Sequence, residues 1–332
     1  MQKEEYELSV YFTTFDHEML YQGVSSYNAN IIDYIDISSS CLSIRFKRNK
    51  KTKAEEYIYS ESSPVRYQLY RAACFYLAVT GSLPRVKKIV LKGKHQGSLQ
   101  LLDKSLLTQS WNGCKVAITL PKEIAQKCFV DKDKRIYIII TFFLKAQLDS
   151  FSHDAFRAAW SGLNAFYNHL SNSQYESEKL AVLRNLIKSK GSPEAEQYVK
   201  NLPDSFWKHI QWHNYIQWRS IDEIENLIRT NQCRDIILYK KITGYLHNFY
   251  SKNKPEYIHD FDAFVQKKIR KKVIDANERV RFLVTYYCYM LRNRSFHAGK
   301  PYPIFGIGSS ESVTTERGLT DIILFTIKDL LT

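Results

Sequence analysis

Hydrophobic periodicity changes once along this 332-residue chain, near residue 148, and that change restricts it to folds that segregate sheet from helix. Upstream, β-forming residues alternate or cluster in short runs at 8–12 (LSVYF), 42–46 (LSIRF), 57–59 (YIY), 88–91 (KIVL), 115–120 (KVAITL) and 135–145 (RIYIIITFFLK). One helix interrupts them. Ser63 suits its N-cap, Pro64 its first turn and Gly81 its stop, and Leu69, Ala73, Tyr76 and Leu77 keep helical spacing between. Downstream, Phe156, Trp160, Leu163, Tyr167 and Leu170 recur at steps of four, three, four and three, which is one face of an amphipathic helix. Further helical spacing runs through 178–190, 221–231, 235–252, 261–298 and 316–331. The pattern predicts an α+β chain, with a β-rich N-terminal domain over 1–147 and an all-α bundle over 148–332.

Several classes are excluded early. A content of 44% hydrophobic and 25% charged residues rules out wholesale disorder, collagen and a coiled-coil rod. The longest strongly apolar run, 136–144, has nine residues, where a spanning helix needs about 20, so it reads as a buried strand and no membrane partner is expected. The opening MQKEEYE is polar and acidic, unlike a secretory leader. Six cysteines, at 41, 74, 114, 128, 233 and 288, form no CxxC, so they are expected to be reduced structural thiols in a cytoplasmic protein. Gly306-Ile-Gly308 lacks the GK[ST] of a phosphate loop, and no GxSxG or dinucleotide pattern is present. His209 and His213, four residues apart, lack the HExxH context of a zinc site. Neither a cofactor nor a metal is expected.

Charge locates the site. The chain carries 48 Lys and Arg against 34 Asp and Glu, a net +14 that favours an anionic partner, with nucleic acid foremost. In the helical half, residues 265–300 hold ten basic and two acidic residues, and the remainder is slightly acidic. This segment ends in Leu291-Arg-Asn-Arg-Ser-Phe-His-Ala-Gly-Lys-Pro. Val280, Leu283, Val284, Tyr287 and Leu291 give the preceding helix an apolar face, and Gly299 and Pro301 stop it. Arg292 therefore lies in the last turns and His297 at or just past the end, where the helix dipole favours an imidazolium.

Arg292-Asn293-Arg294-Ser295-Phe296-His297 resembles the RNxxxH signature of HEPN-domain ribonucleases: an arginine, a polar residue, then a histidine after four to six intervening residues at a helix end. The stretch 151–170 (FSHDAFRAAWSGLNAFYNHL) is similar to the family's aromatic-rich first helix. The resemblance covers roughly 150–332. It implies a HEPN-like bundle, a homodimer with facing motifs, and cleavage of RNA by 2′-hydroxyl attack to leave 2′,3′-cyclic phosphate and 5′-hydroxyl ends. It also implies a place among toxins and abortive-infection effectors of antiviral defence, controlled by an antitoxin or defence-system partner or by the N-terminal domain.

The residue types suit that chemistry. Histidine can move the proton of the 2′-hydroxyl or of the leaving oxygen near neutral pH, and the guanidinium fork grips phosphate oxygens, so no metal is required. Arg292 is the expected phosphate clamp, His297 the proton-transfer residue and Asn293 the group that orients them. Five residues on an ideal helix turn through about 140° beyond a full turn, so the pair shares a face only if the helix ends or bends between them; two motifs across a two-fold axis would build a fuller cleft. Arg294, Lys300 and Arg281 are candidate RNA-backbone contacts, Arg281 because eleven residues return to the face of Arg292. The run 267–272 reads as a solvated basic face. Trp207, His209, Trp212, His213 and Trp218 suggest a buried aromatic layer before a base-stacking platform, and 45–53 (RFKRNKKTK) reads as a hairpin tip or loop. Two other readings of the chain stay open: a non-catalytic HEPN-like module that binds RNA or nucleotide, and an oligomeric interaction scaffold.

Overall fold

A computed structural model describes residues 3–14, 16–28, 30–49, 56–93, 99–103, 107, 113–130, 134–210, 275–297 and 310–332. The chain divides into two compact units. The first comprises residues 1–150, 161–169 and 331–332, and the second residues 151–160 and 170–330.

In the first unit β1 (Lys3–Phe12), β2 (Met19–Asn28), β3 (Ile31–Ser38), β4 (Cys41–Asn49), β5 (Val86–Gly93) and β6 (Leu99–Leu102) form one antiparallel sheet in the order β2-β3-β4-β1-β5-β6. The central strand β1 sets Leu8 opposite Ile44 and Leu91, so three apolar side chains meet on the covered face. The expected strands at 8–12, 42–46 and 88–91 lie within β1, β4 and β5. The basic stretch 45–53 begins inside β4 rather than in a loop: Arg45 pairs with Asp36 at 3.0 Å and lies 4.1 Å from the centre of the Tyr34 ring, and 50–53 fall outside the described residues.

Three expected strands are something else. Residues 57–59 belong to a single helical turn, α1 (Glu56–Tyr59). Its neighbours Tyr57 and Ile58 are both buried, which a one-sided strand would not allow, and Tyr57 packs on Tyr6 and Phe46. Residues 115–120 form no strand and make a single isolated β-bridge, Ser82 to Lys115. Their backbone is satisfied otherwise: Val116 N–H donates to Gly81, Leu120 N–H to Ala78, and the Gln147 amide takes both the N–H and the carbonyl of Ile118. The run 135–145 is helix. After α2 (Pro64–Thr80), α3 (Lys122–Ala125) and α4 (Lys127–Val130), it forms α5 (Arg135–Leu148). Ile136, Ile139, Ile140, Phe143 and Leu144 are buried at helical spacing, while the equally apolar Ile138 is exposed, which hides the period in the sequence.

The helix α2 carries the signals expected of it. Ser63 Oγ accepts from Arg66 N–H, Pro64 opens the first turn, and Gly81 adopts φ +76° with its N–H on the Leu77 carbonyl. Its one side lies on the sheet and its other on α5, and between them Arg71 is wholly buried. The Arg71 guanidinium donates to Ser25 Oγ (3.0 Å), Ser26 O (2.9 Å), Gln68 Oε1 (3.5 Å) and the Cys128 carbonyl, and lies over the rings of Tyr67 and Tyr137. Gln68 in turn bonds both the hydroxyl and the carbonyl of Ser25. Across the β2–β3 ladder Ser25 faces Asp33, which holds Arg48 with two 2.8 Å bonds. Burial still raises the Asp33 carboxyl above its ordinary value, against the opposing pull of Arg48.

The described elements of the second unit are all helices. It contains the start of α6 (Ser152–Leu170), then α7 (Glu176–Lys190), α8 (Pro193–Asn201), α9 (Asp204–His209), α10 (Ala276–Phe282), a π-helical turn (Leu283–Tyr287), α11 (Cys288–His297) and α12 (Ser310–Leu331). Phe156, Trp160, Leu163 and Tyr167 of α6 are buried as the periodicity predicts. The expected helix at 261–298 does not run unbroken: Asp275 is extended and a new helix starts behind it, with 261–274 outside the described residues. The helical stretches expected at 221–231 and 235–252 also lie outside them. Asp329 of α12 accepts from Ser192 Oγ (2.9 Å) and Ala195 N–H (3.0 Å) and so caps α8 from a distance. Ser152 donates to Glu316, tying α6 to α12. Among the described residues no helix is long and apolar enough to cross a membrane.

Two substitutions test this packing. Arg71→Ala leaves the Ser26 and Cys128 carbonyls short of a donor in a dry interior and should cost at least about 3 kcal/mol, read as a shifted midpoint in urea unfolding. At Gly318 a Cβ would stand 2.6 Å from the ring of buried Phe206. Helix propensity alone would make Gly318→Ala favourable by about 1 kcal/mol, but the clash costs roughly 1–3 kcal/mol, so the net effect is a lowered thermal midpoint.

Candidate active site

The motif sits on the helix that Asp275 begins. Asp275 Oδ1 accepts from Glu278 N–H at 2.7 Å, a side-chain cap on the first free donors. Val280, Phe282, Leu283, Val284, Tyr287 and Cys288 are buried, so this helix is anchored on its apolar side, and Leu291 is half-buried. The π turn at Leu283–Tyr287 takes in one residue more than an α turn. It shifts the phase of every later residue by about 100°. Eleven residues therefore do not bring Arg281 back to the face of Arg292, as an unbroken helix would. Arg281 instead donates Nε to Asn277 Oδ1 at 2.9 Å.

The helix α7 runs antiparallel to this one and supplies a polar seam. Its end meets the start of α10, where Asn277 Nδ2 donates to the Ile187 carbonyl (3.1 Å) and to Glu196 (2.8 Å). At mid-length Arg184 Nε donates to Thr285 Oγ1 at 3.3 Å, and that hydroxyl donates to the Arg281 carbonyl inside the π region. Where α7 begins, Glu176 Oε2 lies 3.6 Å from Arg292 Nη1. The same Nη1 donates to Asn293 Oδ1 at 2.9 Å. Arg292 and Asn293, neighbours in the chain, are thus hydrogen-bonded to each other, and the side chain of His297 lies outside the described residues. Glu176 and Arg184 carry no signal in the sequence, because they reach the motif helix from α7, far upstream in the chain, and no local spacing records the contact; Asn277 lies on the motif helix itself, and its partners Ile187 and Glu196 are equally distant in sequence.

The helix α11 continues without interruption from Arg292 to His297. The two backbone positions are therefore about 140° apart around one axis. Arg294 occupies the same helix, and Lys300 lies outside the described residues, as does the basic run 267–272.

Other candidates resolve more simply. Trp207 is buried edge-on to Phe206, with the Arg279 guanidinium 5.2 Å from its ring centre, so this tryptophan belongs to a packed layer. Burial lowers the Arg279 pKa. His209 is exposed, and Trp212, His213, Trp218 and the 306–309 segment lie outside the described residues. Among the described residues no three His, Cys, Asp or Glu side chains gather as a metal set. Among the described residues, Cys41, Cys74, Cys114, Cys128 and Cys288 are free thiols. Burial pushes Cys41 up to about 12 and Cys74 to about 11, so neither supplies a thiolate at neutral pH. Comparison of the chain with protein-family models, curated proteins and solved structures gives no match.

The cap makes the helix testable apart from its chemistry. Asp275→Ala should lower stability by about 1 kcal/mol, visible as a lower thermal midpoint, whereas Asp275→Asn keeps an acceptor and most of that stability.

Proposed function

We propose that the chain is a metal-independent endoribonuclease of HEPN type, acting through Arg292, Asn293 and His297. The observation that carries the reading is a helix-borne guanidinium that is part exposed, steadied by the neighbouring Asn293 and followed on the same helix by a histidine. Arg292 holds the scissile phosphate and absorbs charge as the phosphorane forms. His297 transfers the proton of the 2′-hydroxyl or of the leaving 5′-oxygen. Asn293 fixes the orientation of Arg292. Because 292 and 297 diverge around the axis, the full set is assembled when two copies pair, the arginine of one facing the histidine of the other. The functional unit is then a homodimer formed by the helical domain, 148–332. Arg294, Lys300 and Arg281 bind the RNA backbone along the basic segment.

The N-terminal domain, 1–147, restrains the nuclease or selects its substrate, since an uncontrolled ribonuclease harms its host. In this reading the protein works in the cytoplasm as a toxin or abortive-infection effector of antiviral defence, with an antitoxin or defence-system partner. The test is incubation of the purified protein with tRNA and mRNA in EDTA. Cleavage with 2′,3′-cyclic phosphate ends is expected, falling at least about 100-fold in Arg292→Ala and in His297→Ala. Both variants cutting like the parent, or binding without any scission by the parent, would sink the proposal.

A further inference from the structure

We infer that Glu176 is a displaceable counter-ion for Arg292: its carboxylate holds the guanidinium in place until an RNA phosphate takes it over. This rests on the reading of Arg292 as a phosphate-binding group and names a residue that controls it.

The geometry is that of a held but exchangeable ion. The carboxylate oxygen stands 3.6 Å from Nη1, beyond hydrogen-bond length, while Asn293 Oδ1 takes the short contact at 2.9 Å. The two side chains are 28% and 31% exposed, so solvent and a ligand both reach the pair. A pair this open contributes little to stability. A phosphodiester offers the guanidinium two short charge-assisted bonds in place of the long contact to Glu176. Displacement is therefore favourable, and the carboxylate sets how much RNA is needed to bring it about.

Glu176 has a second reason to be where it is. It opens α7, where a carboxylate suits the positive end of the helix dipole, and Glu178 shares that first turn. Glu178 bonds Ser173 instead. It is therefore the control: neutralising it removes the same dipole term without touching Arg292.

The measurement is anisotropy of a fluorescent 2′-O-methyl uridine 20-mer bound to the full chain, since that strand lacks the attacking hydroxyl and cannot be cut. Glu176→Gln is expected to bind it about two- to fivefold more tightly. The slope of log affinity against log salt should steepen by up to about 0.7, one single-strand phosphate contact. Glu176→Ala should reproduce the gain, circular dichroism confirming the fold of both. Glu178→Gln should bind as the parent does, and in an Arg292→Ala background Glu176→Gln should gain nothing. Binding unchanged or weakened in Glu176→Gln, a gain that survives without Arg292, or an equal gain from Glu178→Gln each overturns the inference. Because this arm needs no cleavage, failure of the nuclease reading shows separately, as intact tRNA in the EDTA assay.

Discussion

The first unit depends on how it accommodates one buried cation. Arg71 has no exposure, and its described hydrogen-bond partners are carbonyls, a hydroxyl and an amide rather than a carboxylate. Burying a charge that way is costly unless every donor is aimed at a dipole. The two terminal nitrogens meet it by drawing three elements to one point, β2 through Ser25 and Ser26, α4 through the Cys128 carbonyl, and α5 through the ring of Tyr137, while the buried Nε has no hydrogen-bond acceptor among the described residues. None of these can shift alone without orphaning a group. The network thereby fixes where the edge hairpin sits on α2, a register that apolar contacts alone would leave looser.

That network also explains why the hairpin is illegible in the sequence. Ser25 and Asp33 occupy buried, cross-strand positions where a strand pattern expects Val or Ile. They are polar because Gln68 and Arg48 answer them, and neither partner is near in sequence. The strands whose inward positions are aliphatic, β1, β4 and β5, are readable for the converse reason. The helix α5 misleads differently. Its exposed Ile138 and half-buried Tyr137 and Phe142 fill the gaps that would have marked a 3.6 period, so a helix looks like a strand. In α2, by contrast, the cap, the opening proline and the left-handed glycine are local signals, and local signals survive in a sequence.

The candidate site is legible to the same depth. Arg292 and Asn293 are adjacent, and their 2.9 Å bond needs nothing distant. Its surroundings come from α7, joined only in three dimensions. The π turn is hidden as well, because an inserted residue leaves composition unchanged while rotating the rest of the helix. Counting in α-helical turns puts Arg281 on the face of Arg292, but the count crosses a segment that does not obey those turns.

Arg71 and Arg292 are the same residue type in opposite environments. Around Arg71 the terminal nitrogens meet fixed acceptors in a buried interior, so exchanging any partner exposes an unsatisfied group; the cation is structural. Arg292 is part exposed, with a short bond to its chain neighbour and a long contact to the Glu176 carboxylate. Losing that carboxylate costs little, because solvent or another anion replaces it at once. The role proposed for Arg292, handing its charge to an incoming phosphate, needs this second arrangement. A shorter, buried Glu176 contact would have turned Arg292 into another Arg71.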